Sequence, residues 1–320
     1  KCTGLSALPD GTGWKAELTC QQSGQTSSIK TKCVINATGP WASYIDDMAG
    51  LNAEHKARLR LVKGSHIVVP ALYEGDQAYL LQLRDVLIIF TIPYQDNFTM
   101  IGTTDARISA AEVTYLCEAV SEYFTNAPVA SDVVWQFAGV RPLEQSGDGS
   151  ENASQVSRDY RLSLASTPAP LLSVYGGKLT SYRALAEAAM DTLGDVFPQM
   201  TESWTSTASL PGAPKGEGTL VLLKESLQAA FPVIEPGVIS RWLANYGAQA
   251  VKVMDYASKG SNGLLEAGPL VGPGLYKAEL DFLINEEWAE TAEDVLWRRS
   301  KLGLHWTDTD VLALTEYLRQ

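Results

Sequence analysis

Apolar positions along the chain repeat first at the spacing of strands and later at that of helices. AELTC (16–20) and SSIKTKCVIN (27–36) flank the turn-rich QQSGQTS, the pattern of a hairpin. KCVINATGPW (32–41) holds a short apolar strand that stops at Thr38-Gly39-Pro40. From 59 to 105, the runs SHIVVP, QAYLLQL, VLIIFTIPY and FTMIGTTD are rich in β-branched residues and separated by Gly, Asp or Asn. They predict a mostly antiparallel sheet. Ser109 and Glu112 make a capping-box pair ahead of a helical stripe at Val113, Leu116, Cys117, Val120 and Phe124. DVVWQFAGVRP (132–142) adds a strand, and the polar stretch at 145–157 reads as a loop. LLSVYGG (171–177) runs straight into KLTSYRALAEAAMDTL, whose Leu179, Tyr182, Leu185, Ala186 and Ala189 predict a helix with one buried face.

The Pro/Gly-rich SLPGAPKGEG (209–218) is the expected boundary between a first domain, 1–208, and a second, 209–320. Beyond it the period is helical. Val238, Ile239, Trp242, Leu243 and Tyr246 form one stripe, entered after Pro236 and closed by Gly247. Tyr276, Leu280, Leu283, Ile284 and Trp288 form another. DVLWRRSKLGL (294–304) predicts an amphipathic helix with a basic flank, and the last helix starts at Thr307 with Asp310 three residues on. These patterns predict a mixed α/β body followed by an all-helical domain.

Composition narrows the function classes. With 45% hydrophobic and 19% charged residues, the chain is that of an ordinary globular protein, and no run reaches the roughly 18 apolar residues of a membrane span. A net charge of −12 argues against nucleic acid as a partner, because a phosphate backbone needs a basic surface. An anionic ligand must therefore be held by a few arginines and lysines against the overall field. The four cysteines show no CxxC pair, so no disulfide framework or zinc site is expected. Cys33 and Cys117 sit among apolar neighbours and read as small core residues.

Four segments have the residue types for chemistry, each with a plainer reading beside it. In YGGKLTSYR (175–183) two glycines between strand and helix let backbone approach a ligand, and the helix start favours negative charge. The same glycines also serve an ordinary tight turn. In AGVRPL (138–143) Arg141 closes a strand and is held extended by Pro142, a posture suited to gripping phosphate or carboxylate with two hydrogen bonds. A surface ion pair fits it equally well. His66 in LVKGSHIVVP (61–70) has the type for a proton acceptor, although a structural histidine is commoner. Arg158 in VSRDYRL (156–162) ends the polar loop, placed either to fold over a site or to join a solvated charge cluster.

Taken in order, NATGPW, KGSHIVVP, IGTTD, GVRPL, SRDY, YGGKLTSYR and DVLWRRSKLGL closely resemble the FAD-dependent (aerobic) glycerol-3-phosphate dehydrogenases, from about residue 30 to the C-terminus. The resemblance implies a D-amino-acid-oxidase-like flavoprotein: a FAD domain, an interleaved substrate sheet at about 59–142, and a helical C-terminal domain. It implies that Arg141 contacts the substrate phosphate, that Lys178 lies beside flavin and substrate, and that Arg158 and His66 line the pocket. It places Thr38 and Gly39 near the nucleotide half of FAD, and Gly177, Leu179 and Thr180 at the flavin's pyrimidine edge. His66 and Lys178 are both candidates for the catalytic proton acceptor.

The implied reaction oxidises sn-glycerol 3-phosphate to dihydroxyacetone phosphate. Electrons pass to quinone from an enzyme attached peripherally to the cytoplasmic face of the membrane, with a homodimer as one assembly left open. An oxidase that uses oxygen, and a catalytically silent structural fragment, are the alternatives. The family's N-terminal strand–GxGxxG–helix is absent from the sequence, so this chain alone is expected to bind FAD poorly.

Overall fold

A computed structural model describes residues 1–83, 88–95, 97–103, 110–145, 159–260 and 264–319. They form two compact units, Lys1–Thr207 and Ala208–Gln320.

The first unit opens with an antiparallel three-stranded sheet of β1 (Cys2–Ala7), β2 (Trp14–Thr19) and β3 (Thr26–Thr31). The expected hairpin is β2–β3, in register from Trp14↔Thr31 to Thr19↔Thr26. The run after it leaves for a second sheet as β4 (Val34–Asn36). β4 pairs in parallel with β11 (Leu171–Gly176), which pairs antiparallel with β10 (Tyr160–Ala165). Helix α1 (Ala42–Met48) packs its Ile45 with Leu5, Trp14 and Leu171 in one buried cluster.

The β-branched runs build a five-stranded antiparallel sheet, with strands in the order β6-β7-β8-β5-β9. These are β5 (Leu59–Pro70), β6 (Tyr79–Gln82), β7 (Ile88–Tyr94), β8 (Phe98–Thr103) and β9 (Trp135–Glu144). One face, with Ile67, Val69, Ile89 and Ile101, is closed by Leu116, Cys117 and Val120 of α2 (Ala110–Ser121). Side chains alternate along a strand, so the residues between them point to the opposite face.

The segment after β11 departs from its sequence pattern. Chain direction changes at Gly176-Gly177, Leu179–Ser181 form a 3-10 turn, and only then does α3 (Tyr182–Thr192) begin. Leu179 falls outside the α-helical register and is 90% exposed, and Tyr182 is exposed too. The expected buried face is reduced to Ala189, which packs with Leu193 and Leu172.

The second unit holds α4 (Thr219–Ala230), α5 (Pro236–Tyr246), α6 (Lys277–Asn285) and α7 (Asp308–Tyr317) around a core that includes Phe231, Trp242 and Phe282. Two short antiparallel ribbons, Ser258–Lys259 with Leu265–Glu266 and Leu270–Gly272 with Leu275–Tyr276, add strand to this helical unit. Thr307 caps α7 in a reciprocal box with Asp310. α6 ends before Trp288, which has a φ of 56° and is 83% exposed, so the second stripe stops at Ile284. Residues 294–304 are a π-helical turn, Asp294–Arg299, followed by a 3-10 turn, Leu302–His305, and not one continuous α-helix.

Candidate active site

The open face of the five-stranded sheet gathers chemistry from three strands. His66 pairs directly with Phe137 on β9 and with Gly102 on β8. Its ring stacks on Phe137 with centroids 4.9 Å apart and planes 6° from parallel. On the other side, a β-carbon placed on Gly102 would lie 2.2 Å from His66 Cδ2. Gly102 is therefore a glycine because the imidazole occupies the space above it. His66 Nδ1 is buried and meets no hydrogen-bond partner among the described residues, which leaves Nε2 as the nitrogen a ligand can meet.

Moving along the same face, the next pairs are Gly64↔Gly139 and Val62↔Arg141. His66 and Arg141 thus stand on one face, four residues apart, with glycines between them. A β-carbon on Gly139 would meet nothing within 4 Å, so the β9 side of the floor between histidine and arginine is open, while Gly64 opposite it is buried. The His66 pKa is pushed below its ordinary 6.5 by burial first and by the Arg141 charge second. The imidazole is consequently neutral at physiological pH, with a ring nitrogen able to accept a proton. Arg141 itself is exposed, and it does not close its strand as its sequence context suggested: β9 continues in register with β5 for three more residues, to Glu144.

The turns that follow two strands, β4 and β11, meet β9 beside Arg141. Pro142 lies next to Gly39, whose added β-carbon would sit 4.0 Å from the Pro142 ring, and next to Gly176, whose added β-carbon would sit 4.0 Å from the Pro142 carbonyl. Gly176 and Gly177 have φ of 68° and 95°, a left-handed pair that turns the chain sharply towards Lys178. Gly177, Lys178, Leu179 and Thr180 are all exposed, and no side chain caps the helical turn that starts there. A further contact ties β9 to β10: Arg161 pairs with Glu144 at 2.6 Å while lying over the Tyr175 ring at 4.8 Å.

Beneath this junction is a buried polar network. Asp46 of α1 accepts from Asn36 Nδ2 at 2.7 Å, Ser173 Oγ at 2.6 Å and Tyr175 Oη at 2.6 Å. The Asn36 side-chain oxygen in turn accepts from Thr38 Oγ1 at 2.6 Å. Burial, reinforced by hydrogen bonding to Asp46, drives the Tyr175 pKa well above the ordinary phenol value.

Of the residues singled out from sequence, His66 and Arg141 share a face, and Thr38, Gly39, Gly177, Lys178, Leu179 and Thr180 belong to the segments that meet around Pro142. Arg158 lies outside the described residues, as do Ser109 and positions 146–157 of the predicted loop. Sequence reasoning missed Gly102, Phe137 and Asp46 as contributors. Gly102 carried a usable signal, since a glycine inside a β-branched run marks a close approach. Asp46, one of an adjacent Asp-Asp pair, carried none. A cleft of about 750 Å³ between α3 and residues 194–205 includes none of the predicted site residues.

Known proteins match the chain in both units. Residues 1–183 match the family "FAD dependent oxidoreductase", and residues 203–318 match "C-terminal domain of alpha-glycerophosphate oxidase". A glycerol-3-phosphate dehydrogenase of Pseudomonas aeruginosa is 42% identical over 92% of this chain and 58% of its own length. The D-erythritol 1-phosphate dehydrogenase of Brucella abortus is 38% identical over 98% of this chain and 63% of its own. The aerobic glycerol-3-phosphate dehydrogenase of Escherichia coli is 35% identical over 96% of this chain and 63% of its own. The chain therefore spans roughly six-tenths of these relatives. The structure of a Bacillus halodurans glycerol-3-phosphate dehydrogenase complexed with FAD superposes with a TM-score of 0.74 at 23% identity, covering 100% of this chain and 67% of that one, which shows a shared fold. With more than half of its length matched by the family's own pattern, the chain belongs to the FAD-dependent oxidoreductases.

Proposed function

We propose that this chain carries the substrate sheet of an FAD-dependent glycerol-3-phosphate dehydrogenase, oxidising sn-glycerol 3-phosphate to dihydroxyacetone phosphate. The observation that carries the reading is the placement of His66 and Arg141 on one sheet face, to either side of the Gly64↔Gly139 pair. Four residues of strand span about 13 Å at about 3.3 Å per residue. That leaves room for the arginine side chain and a three-carbon phosphate ester laid end to end. Arg141 holds the phosphate by paired hydrogen bonds, which fixes the reacting carbon relative to His66. His66, kept neutral by burial and by Arg141, takes the hydroxyl proton at Nε2. Lys178 supplies positive charge at the turn.

The residues fit a flavin. Gly176-Gly177 give a side-chain-free turn, and the uncapped helix start at Leu179–Thr180 favours an electron-rich ring edge. Thr38 and Gly39, on the far side of Pro142, would lie towards the nucleotide half. These residues would hold an FAD, which would supply the hydride acceptor for the carbon that bears the reacting hydroxyl.

Two finer features rest on the resemblance: quinone as electron acceptor, and peripheral attachment to the cytoplasmic membrane. No helix among the described residues is long and apolar enough to cross a membrane. Hydrogen peroxide released at the rate of substrate oxidation would replace the dehydrogenase reading with the oxidase one. A longer phosphorylated polyol is a second substrate reading, motivated by the Brucella relative, and kcat/KM for the two esters decides between them.

The test is Arg141→Ala in the full-length protein. Removing one partner of a charge-assisted pair costs about 2–5 kcal/mol, so kcat/KM for glycerol 3-phosphate should fall by at least about thirtyfold, mostly through KM. Arg141→Lys should fall between the two, because a point charge cannot make the paired contact. Unchanged kcat/KM in Arg141→Ala would remove the site assignment.

A further inference from the structure

Asp46 is a buried carboxylate with no place in the chemistry above. It is fully buried, yet its three donors come from β4 and β11. Asn36 leads two residues later to Thr38, and holds it by a side-chain hydrogen bond. Tyr175 immediately precedes Gly176-Gly177. The two segments assigned above to opposite parts of FAD thus leave the protein interior from a single ionisable group. A buried carboxylate is costly unless its oxygens are satisfied, so a site that retains one is held to a narrow set of donor positions. An apolar residue at 46 would pack with no such demand on where Asn36, Ser173 and Tyr175 stand.

We infer that Asp46 is a positioning residue for the cofactor, fixing the separation and orientation of the Thr38-Gly39 and Gly176-Gly177 turns. The inference rests on the flavin reading of those turns. Asp46 touches neither ligand nor reacting atoms; it acts through Asn36, Ser173 and Tyr175. The Tyr175 ring is held from the other side by Arg161, itself paired to Glu144 on β9, so displacing Tyr175 also loosens the strand that carries Arg141.

The experiment uses the full-length protein stripped of flavin and titrated with FAD, the dissociation constant being read from flavin fluorescence and the melting temperature recorded beside it. Three variants are compared with wild type: Asp46→Asn, Tyr175→Phe and Leu116→Ala. The last is a core truncation on α2, in a cluster separate from the network. Asp46→Asn and Tyr175→Phe each remove a specific acceptor or donor, and should raise the FAD dissociation constant about tenfold or more. Leu116→Ala should lower the melting temperature at least as much while changing FAD affinity less than about twofold, because its cost is a cavity. Should Asp46→Asn not fold, Tyr175→Phe decides alone, since it keeps the ring under Arg161. Wild-type FAD affinity in the network variants, or an equal loss in Leu116→Ala, overturns the inference and leaves Asp46 a stability residue. A wild-type protein that takes up no FAD overturns the flavin reading itself, and is distinguishable on sight.

Discussion

The imidazole of His66 lies where a side chain on Gly102 would have to go: a β-carbon there would stand 2.2 Å from Cδ2 and 2.6 Å from Nε2. The other side of the ring is closed by Phe137, so the histidine has one resting place, slotted between two strands. Gly102→Ala should expel the ring from that slot without disturbing the core behind it, where Ile101 packs towards α2. The expected result is a loss of kcat/KM approaching that of His66→Ala, about 10²–10⁴-fold for a displaced proton acceptor, with a far-UV spectrum like wild type. Full activity in Gly102→Ala would mean that the position of His66 does not matter to the reaction.

His66 also predicts the pH profile. Its folded pKa lies below the ordinary 6.5, burial being the larger cause and the Arg141 charge the smaller. A proton acceptor must be neutral, so kcat/KM should be flat through neutrality and fall only on the acid side of 6.5. The stability linkage has the same direction. An unfolded chain binds the proton more readily than the folded one, so stability is lost as pH falls from the unfolded pKa towards the depressed folded value. His66→Gln should flatten that part of the acid-stability curve. An acid limb centred at or above 6.5 would contradict the environment described for the ring.

The turn after β11 depends on glycine for two reasons that can be separated. Gly176 has a φ of 68°, and its added β-carbon would stand 2.7 Å from the Asp159 carbonyl, a backbone atom with little freedom to withdraw. Gly177 has a φ of 95° and meets only the Tyr160 β-carbon at 3.3 Å. Alanine at 177 should cost about 1 kcal/mol from backbone strain, whereas alanine at 176 should cost more, because strain and collision combine. Thermal melting of the two variants checks the order, and equal losses would show that the turn relaxes freely.

In the second unit, Glu279 is fully buried and accepts from Arg241 at 2.5 and 2.7 Å and from Tyr246 at 2.7 Å. Arg241 also donates to the Gly274 carbonyl at 2.7 Å. Burial first, then Glu279, holds Tyr246 protonated far above the ordinary phenol range. Glu279→Ala should destabilise the unit by about 3–5 kcal/mol, because it strands a largely buried guanidinium whose side chain is only 17% exposed. Replacing both ionic partners, Arg241→Met with Glu279→Leu, should recover much of that loss. Denaturant unfolding measures both, and a single variant as stable as wild type would refute the account.

Much of the fold was legible because its signals are local. The β-branched runs from 59 to 105 specify strands by side-chain shape, and Pro236 with Gly247 bracket α5 by backbone chemistry alone. Thr307 and Asp310 name a helix start that the structure contains atom for atom. The failures are places where neighbours override the pattern. Leu179 has helical spacing from Tyr182 and Ala186, but the left-handed Gly176-Gly177 pair redirects the chain and a 3-10 turn intervenes. Trp288 continues a stripe in sequence, yet α6 has already ended.

What the sequence determined by itself was the set of parts: strand and helix types, an acidic chain that needs local cations for an anionic ligand, and the ordered segments that resemble a flavoenzyme family. Tertiary structure alone decided which parts face each other. Strand register puts Arg141 on the same face as His66, four residues along across two glycines, and it pairs His66 with Gly102 and Phe137. The helix packed on the opposite face determines which side of that sheet stays open. The physical reason is that propensity and periodicity act over a few residues. Register, close approach and the satisfaction of a buried carboxylate such as Asp46 join groups more than a hundred positions apart.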